Sequence, residues 1–71
     1  MKMWICRDEH SPFCRISLSE PHKVYDKFVK KYCWQAGMWD TMALKPSAFP
    51  EVTFENSPME VELKLASNEN N

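Results

Sequence analysis

The stretch Glu51-Val-Thr-Phe-Glu-Asn-Ser-Pro-Met-Glu-Val-Glu-Leu-Lys-Leu65 is the most ordered pattern in the chain. Val52 and Phe54, then Met59, Val61, Leu63 and Leu65, alternate with Thr53, Glu55, Glu60, Glu62 and Lys64. A period of two with one apolar side predicts half-buried antiparallel strands at 51–55 and 59–65, joined through an Asn56-Ser57-Pro58 turn. Working outward, Lys2 to Arg7 reads as a short strand, and Asp8-Glu9-His10-Ser11-Pro12 carries turn chemistry. Phe13 to Leu18 resumes the strand. A hairpin that sets Arg7 opposite Phe13 brings Cys6 to Cys14 and Trp4 to Ile16. It gathers Trp4, Cys6, Cys14, Ile16 and Leu18 into one apolar face, and that face predicts the register.

Between these ribbons, Val24, Tyr25, Phe28, Val29, Tyr32 and Cys33 recur at close to 3.6-residue spacing, with Lys23, Asp26, Lys27, Lys30 and Lys31 between them. Ser19 and Pro21 suit a helix start, so an amphipathic helix over 21–33 is predicted. The same β-branched and aromatic residues also suit a strand, which leaves helix against strand or loop open there. Residues 38–44 read as a further short strand. Lys45 to Pro50 reads as a single helical turn with Phe49 tucked inward. The expected architecture is one α+β domain over 1–66: a mainly antiparallel sheet of four or five short strands carrying one helix. Residues 67–71 have no apolar anchor and are expected to be a disordered tail.

Composition bounds the function. The chain has 71 residues, 44% hydrophobic and 27% charged, which places it in the globular class. So short a chain buries only about 60% of its unfolded surface, and three Trp, four Phe and two Tyr help to offset that. The single glycine, Gly37, excludes a Gly-rich phosphate loop. No apolar run is long enough to span a membrane and the first residues are too quickly charged for a signal peptide, so a cytoplasmic protein without membrane contact is expected. There Cys6, Cys14 and Cys33 are expected as reduced thiols.

The formal net charge of −1 hides an asymmetry. Residues 1–47 carry eight Lys/Arg against five Asp/Glu, giving +3, while 48–71 carry Lys64 against five Glu, giving −4. An ordinary solvated surface is the favoured reading of that difference.

Four chemistries draw on different subsets of these residues. Cys6, His10, Cys14, His22 and Cys33 are the residue types that zinc takes, but without a CxxC or a paired His spacing the thiols read first as small core residues. Lys23, Lys27, Lys30 and Lys31 interleave with Tyr25, Phe28, Tyr32 and Trp34, which suits phosphate contact and base stacking. The competing reading turns those aromatics into the core and leaves the lysines as a solvated helix face. Catalysis has only a His10–Cys14 pair and the exposed Glu60 and Glu62 to draw on, so no enzyme and no cofactor are expected. That leaves interaction. Met38, Trp39 and Met42 have no evident internal partner, and Trp and Met are favoured at adaptable contact surfaces. A small intracellular accessory protein that binds another protein, or a second copy of itself, is the expected function. Weak nucleic-acid binding through the lysine segment and structural zinc binding are the alternatives.

Phe49 to Leu65, and the opening Met1-Lys-Met-Trp-Ile-Cys-Arg-Asp8, are similar to the two ends of a group of short proteins from Bacteroides-type gut bacteria and their prophages or conjugative elements. The resemblance covers about a third of the chain and does not extend to residues 22–43. His10-Ser11-Pro12 stands where that group typically carries a glycine. The group has no assigned activity, so no functional residue carries over, and the resemblance implies only a mobile-element accessory protein.

Overall fold

A computed structural model describes residues 1–66 and shows six antiparallel strands in two sheets. These are β1 (Lys2–Arg7), β2 (Cys14–Ser17), β3 (His22–Asp26), β4 (Lys31–Gln35), β5 (Thr41–Leu44) and β6 (Met59–Glu62). Four form a sheet in the order β5-β2-β1-β6, and β3-β4 form a separate ribbon. There is no helix among the described residues, so the fold is all-β and the expected α+β class is corrected. The expected tail at 67–71 lies outside the described residues.

The helix expected over 21–33 is the hairpin β3–β4, paired Val24 to Cys33 and Tyr25 to Tyr32. Its turn needs no glycine. Lys30 takes a left-handed φ of 58° and donates its N–H to the Asp26 carbonyl at 2.7 Å. The Asp26 carboxylate accepts from the N–H groups of Phe28 and Val29, at 2.9 and 3.4 Å. An Asp side chain that caps its own turn supplies locally what a helix would have to supply along its length. The β-branched and aromatic residues flanking it then follow their strand preference.

The first hairpin forms, one residue out of the expected register. Arg7 stands opposite Cys14, Cys6 opposite Arg15, Ile5 opposite Ile16 and Trp4 opposite Ser17. β1 is apolar on both sides, so its own pattern accepts either register. β2 alternates strictly, with Cys14 and Ile16 against Arg15 and Ser17, and it joins Ile5 to the buried face. The core consists of Ile5, Cys14 and Val52, with Ile16, Leu44, Ala48, Met59 and Val61 packed against it. Cys6 therefore lies on the face opposite Cys14, alongside Arg15.

Residues 51–55 are not a strand, because β2 and β6 already occupy both sides of β1. Instead the segment 45–58 runs as a strap from β5, at one edge of the sheet, to β6 at the other, and presses Val52 and Ala48 onto the core face. Its backbone bonds are those of turns: Ala48 N–H to the Lys45 carbonyl and Val52 N–H to the Phe49 carbonyl, both at 3.0 Å. Asn56 ties it further, accepting from Thr53 N–H at 2.8 Å and donating to the Glu51 carbonyl at 2.8 Å. Phe49, expected to point inward, is exposed at a position of positive φ. The Ser57–Pro58 peptide bond is cis.

One side chain holds the strap down. From the end of β1, Arg7 donates to the carbonyls of Val52 at 2.7 Å, Phe49 at 3.1 Å, and Ala48 and Pro46 at 3.4 Å each, as well as to Pro12. Its backbone N–H is bonded to Ser57 Oγ at 2.9 Å. Among the described residues it joins no ion pair; those present are Met1 ammonium–Glu62, Lys2–Glu60 and Arg15–Asp8.

Candidate functional site

The expected contact residues lie at the β5 end of the sheet. A tight turn precedes β5: the Gly37 carbonyl accepts from Asp40 N–H at 3.1 Å and from the Thr41 hydroxyl at 2.9 Å, while Gly37 N–H donates to Ser19 Oγ at 3.2 Å. A Cβ at Gly37 would come within 2.8 Å of the Asp40 carboxylate, so the turn closes tightly on a residue without one. Met38 and Trp39 sit on this turn, 80% and 92% exposed, and Met42 follows on the strand, also exposed. The strand expected at 38–44 is thereby shortened to Thr41–Leu44.

β5 is an edge strand, which the sequence pattern does not reveal. Leu18 N–H donates to the Asp40 carbonyl at 3.1 Å. The ladder continues through Ile16–Met42 and Cys14–Leu44. Antiparallel alternation then turns the N–H and C=O of Thr41 and Ala43 away from the sheet. None of the four residues of β5 is charged or a proline. The other edge, β6, carries Glu60 and Glu62. Charge guards one edge against strand addition and the other stands without that guard.

The four candidate lysines divide. Lys23 lies over three aromatic rings of its own protein, with Nζ 5.2 Å from the Phe54 centroid, 5.5 Å from Trp34 and 5.7 Å from Tyr32. At these distances a cation is attracted to the ring faces. Lys27, Lys30 and Lys31 are exposed around the β3–β4 turn and make no ion pair among the described residues. The aromatics between them are not core residues. Tyr25 and Tyr32 stack edge to face with centroids 5.2 Å apart and stay about half exposed, and Phe28 at the turn is 88% exposed. Only Trp34 is buried. It packs on Phe54, and its indole N–H finds no acceptor among the described residues.

Asp8 docks this ribbon on the main sheet. One carboxylate oxygen accepts from Arg15 at 2.6 Å and from Trp34 N–H at 2.8 Å, and Arg15 also donates to the Trp34 carbonyl. The Glu9 carboxylate accepts a further bond from Tyr32 N–H at 3.0 Å.

The cysteines and histidines do not converge. Cys6 and Cys14 occupy opposite faces, Cys33 is on the ribbon, and His10 and His22 are exposed. No group of three metal-ligating side chains comes together among the described residues. Burial pushes the Cys6 thiol up to about 11, with Arg15 pulling the other way, and burial also raises Cys33. A protonated, buried thiol is a poor nucleophile and a poor metal ligand. An open concavity of about 530 Å³ lies between the β1–β2 turn and the strap, lined among others by Arg7, Asp8, Glu9, His10, Phe54 and Glu55. Arg7, Asp8 and Glu9 are already engaged by strap, sheet and ribbon, so the concavity gathers no free acid–base pair beyond His10 and Glu55. No helix among the described residues is long and apolar enough to cross a membrane. No family model, curated protein or solved structure matches this chain.

Proposed function

We propose that this protein is a protein-binding module that receives an extended strand of its partner along the β5 edge. The observation that carries this reading is the unguarded edge itself, with the outward amides of Thr41 and Ala43 beside exposed Met38, Trp39 and Met42. Strand addition draws its affinity from main-chain hydrogen bonds and its specificity from neighbouring apolar side chains, and both elements lie within seven residues here. A second copy of the chain, pairing β5 to β5, would use the same chemistry.

Two variants test it. Ala43→Pro deletes an outward N–H and blocks an incoming strand, while the inward ladder to β2 keeps its bonds. Trp39→Ala removes a ring that contributes nothing to the core, so stability should stay within about 0.5 kcal/mol. The expected result is a host protein cross-linked through Met42, or a dimer in sedimentation, that is lost in Ala43→Pro and weakened about 30-fold in Trp39→Ala. A partner retained by both variants, or a monomer with no cross-linked partner, overturns the proposal.

A further inference from the structure

We infer that the β3–β4 hairpin is a second, separate binding surface, for single-stranded nucleic acid. Tyr25, Phe28 and Tyr32 would stack on bases, and Lys27, Lys30 and Lys31 would hold phosphates. The surface lies on a different sheet from the β5 edge and does not depend on it.

Three observations converge. First, the aromatics that a helix would have buried stand in solvent, with Phe28 at the turn and the tyrosine pair just below it on the strands. Edge-to-face packing of Tyr25 and Tyr32 leaves ring surface uncovered, and any base has a face to stack there. Second, the hairpin 22–35 carries four lysines against Asp26, a net +3, and Asp26 is occupied by the turn amides. Third, three of the acidic groups elsewhere are internally matched. Glu60 pairs with Lys2 at 3.6 Å, Glu62 with the Met1 ammonium at 2.9 Å, and Asp8 with Arg15 at 2.6 Å.

The arrangement favours a single strand over a duplex or a lipid surface. Lysines without arginine lack the fork that reads base edges in a groove. An inserting tip would place its aromatics at the apex, whereas two of these three lie down the shaft and carry hydroxyls. Binding should be tolerant of sequence and span only a few nucleotides.

The test is fluorescence anisotropy of the full chain with labelled oligo-dT and oligo-rU of about ten nucleotides, from about 20 mM salt upward. Affinity should fall with salt at a log–log slope of about −2 for three neutralised phosphates. Phe28→Ala should weaken binding roughly tenfold, Phe28→Tyr should restore it, and Lys30→Ala with Lys31→Ala should flatten the slope by about 1.4. All three side chains involved are exposed, so a retained circular dichroism spectrum is expected for each variant. The inference is overturned by no binding at the lowest salt or by binding indifferent to Phe28→Ala. Phe28-dependent recruitment to phosphatidylserine vesicles without oligonucleotide binding also overturns it.

Discussion

Replacing Arg7 with methionine keeps the aliphatic stem and deletes the guanidinium that fastens the strap. Two of its bonds are short, to Val52 at 2.7 Å and Phe49 at 3.1 Å, while those to Ala48 and Pro46 at 3.4 Å are weak. Counting two to three effective bonds from a charged donor, at about 1.5 kcal/mol each, gives roughly 3–4.5 kcal/mol. Part of that is offset, because a half-buried guanidinium without a carboxylate is costly to desolvate and water can reach some of the freed carbonyls. The expected net loss is about 2–3 kcal/mol. A domain of this size has roughly 4–10 kcal/mol in total, so its melting temperature should fall by about 10–20 °C. Urea unfolding followed by tryptophan fluorescence reads this directly, since Trp34 is the buried indole. Arg7→Lys should fall between the two, because an ammonium cannot fork across several carbonyls. A midpoint for Arg7→Met within about 0.5 kcal/mol of the parent would refute the clamp.

Asp8→Ala should undock the ribbon while leaving the main sheet paired. The Tyr32 and Trp34 amides should lose hydrogen-exchange protection worth about 2 kcal/mol, and those of β1 and β2 should not; unchanged Trp34 protection would contradict the docking role. The Cys6 thiol is held protonated to about 11 against an ordinary 9.0, so unfolded chains lose that proton first and stability should decline as pH rises from about 9 to 11. The Cys6 share of the decline should reach at most about 3 kcal/mol and be lost in Cys6→Ala, leaving the part that Cys33 contributes; identical pH profiles would exclude Cys6 as a source.

Three elements were legible in the residues, and each failure has its own physical cause. β1 matches its expected bounds, and β2 and β6 begin within a residue of theirs, because short alternating runs between turn residues have few other ways to bury their apolar side. The β1–β2 register slipped because Met3 and Ile5 are as apolar as Trp4 and Cys6, so only the partner strand could choose between them. The helix expected over 21–33 fails because the aromatics repeat at a spacing that a helix and a hairpin with a four-residue turn share. The decisive signal was Asp26, whose carboxylate closes the turn without a glycine. Val52 was correctly placed inside, yet on a strap and not a strand, since burial alternates in both while ladder positions beside β1 were already filled. At the candidate sites, Met38, Trp39 and Met42 stand out in the sequence by their lack of an evident internal partner, and all three are exposed. The unguarded edge beside them is a property of strand order, which no local pattern carries.

Strand order also governs how the molecule can be made. Of the six described strands, β1 is translated before the others and sits at the centre of its sheet, yet one of its two neighbours, β6, follows all the rest in chain order. Until residues 59–62 emerge, one flank of β1 is an open apolar template in a nascent chain, the kind of flank to which a chaperone or another polypeptide adheres.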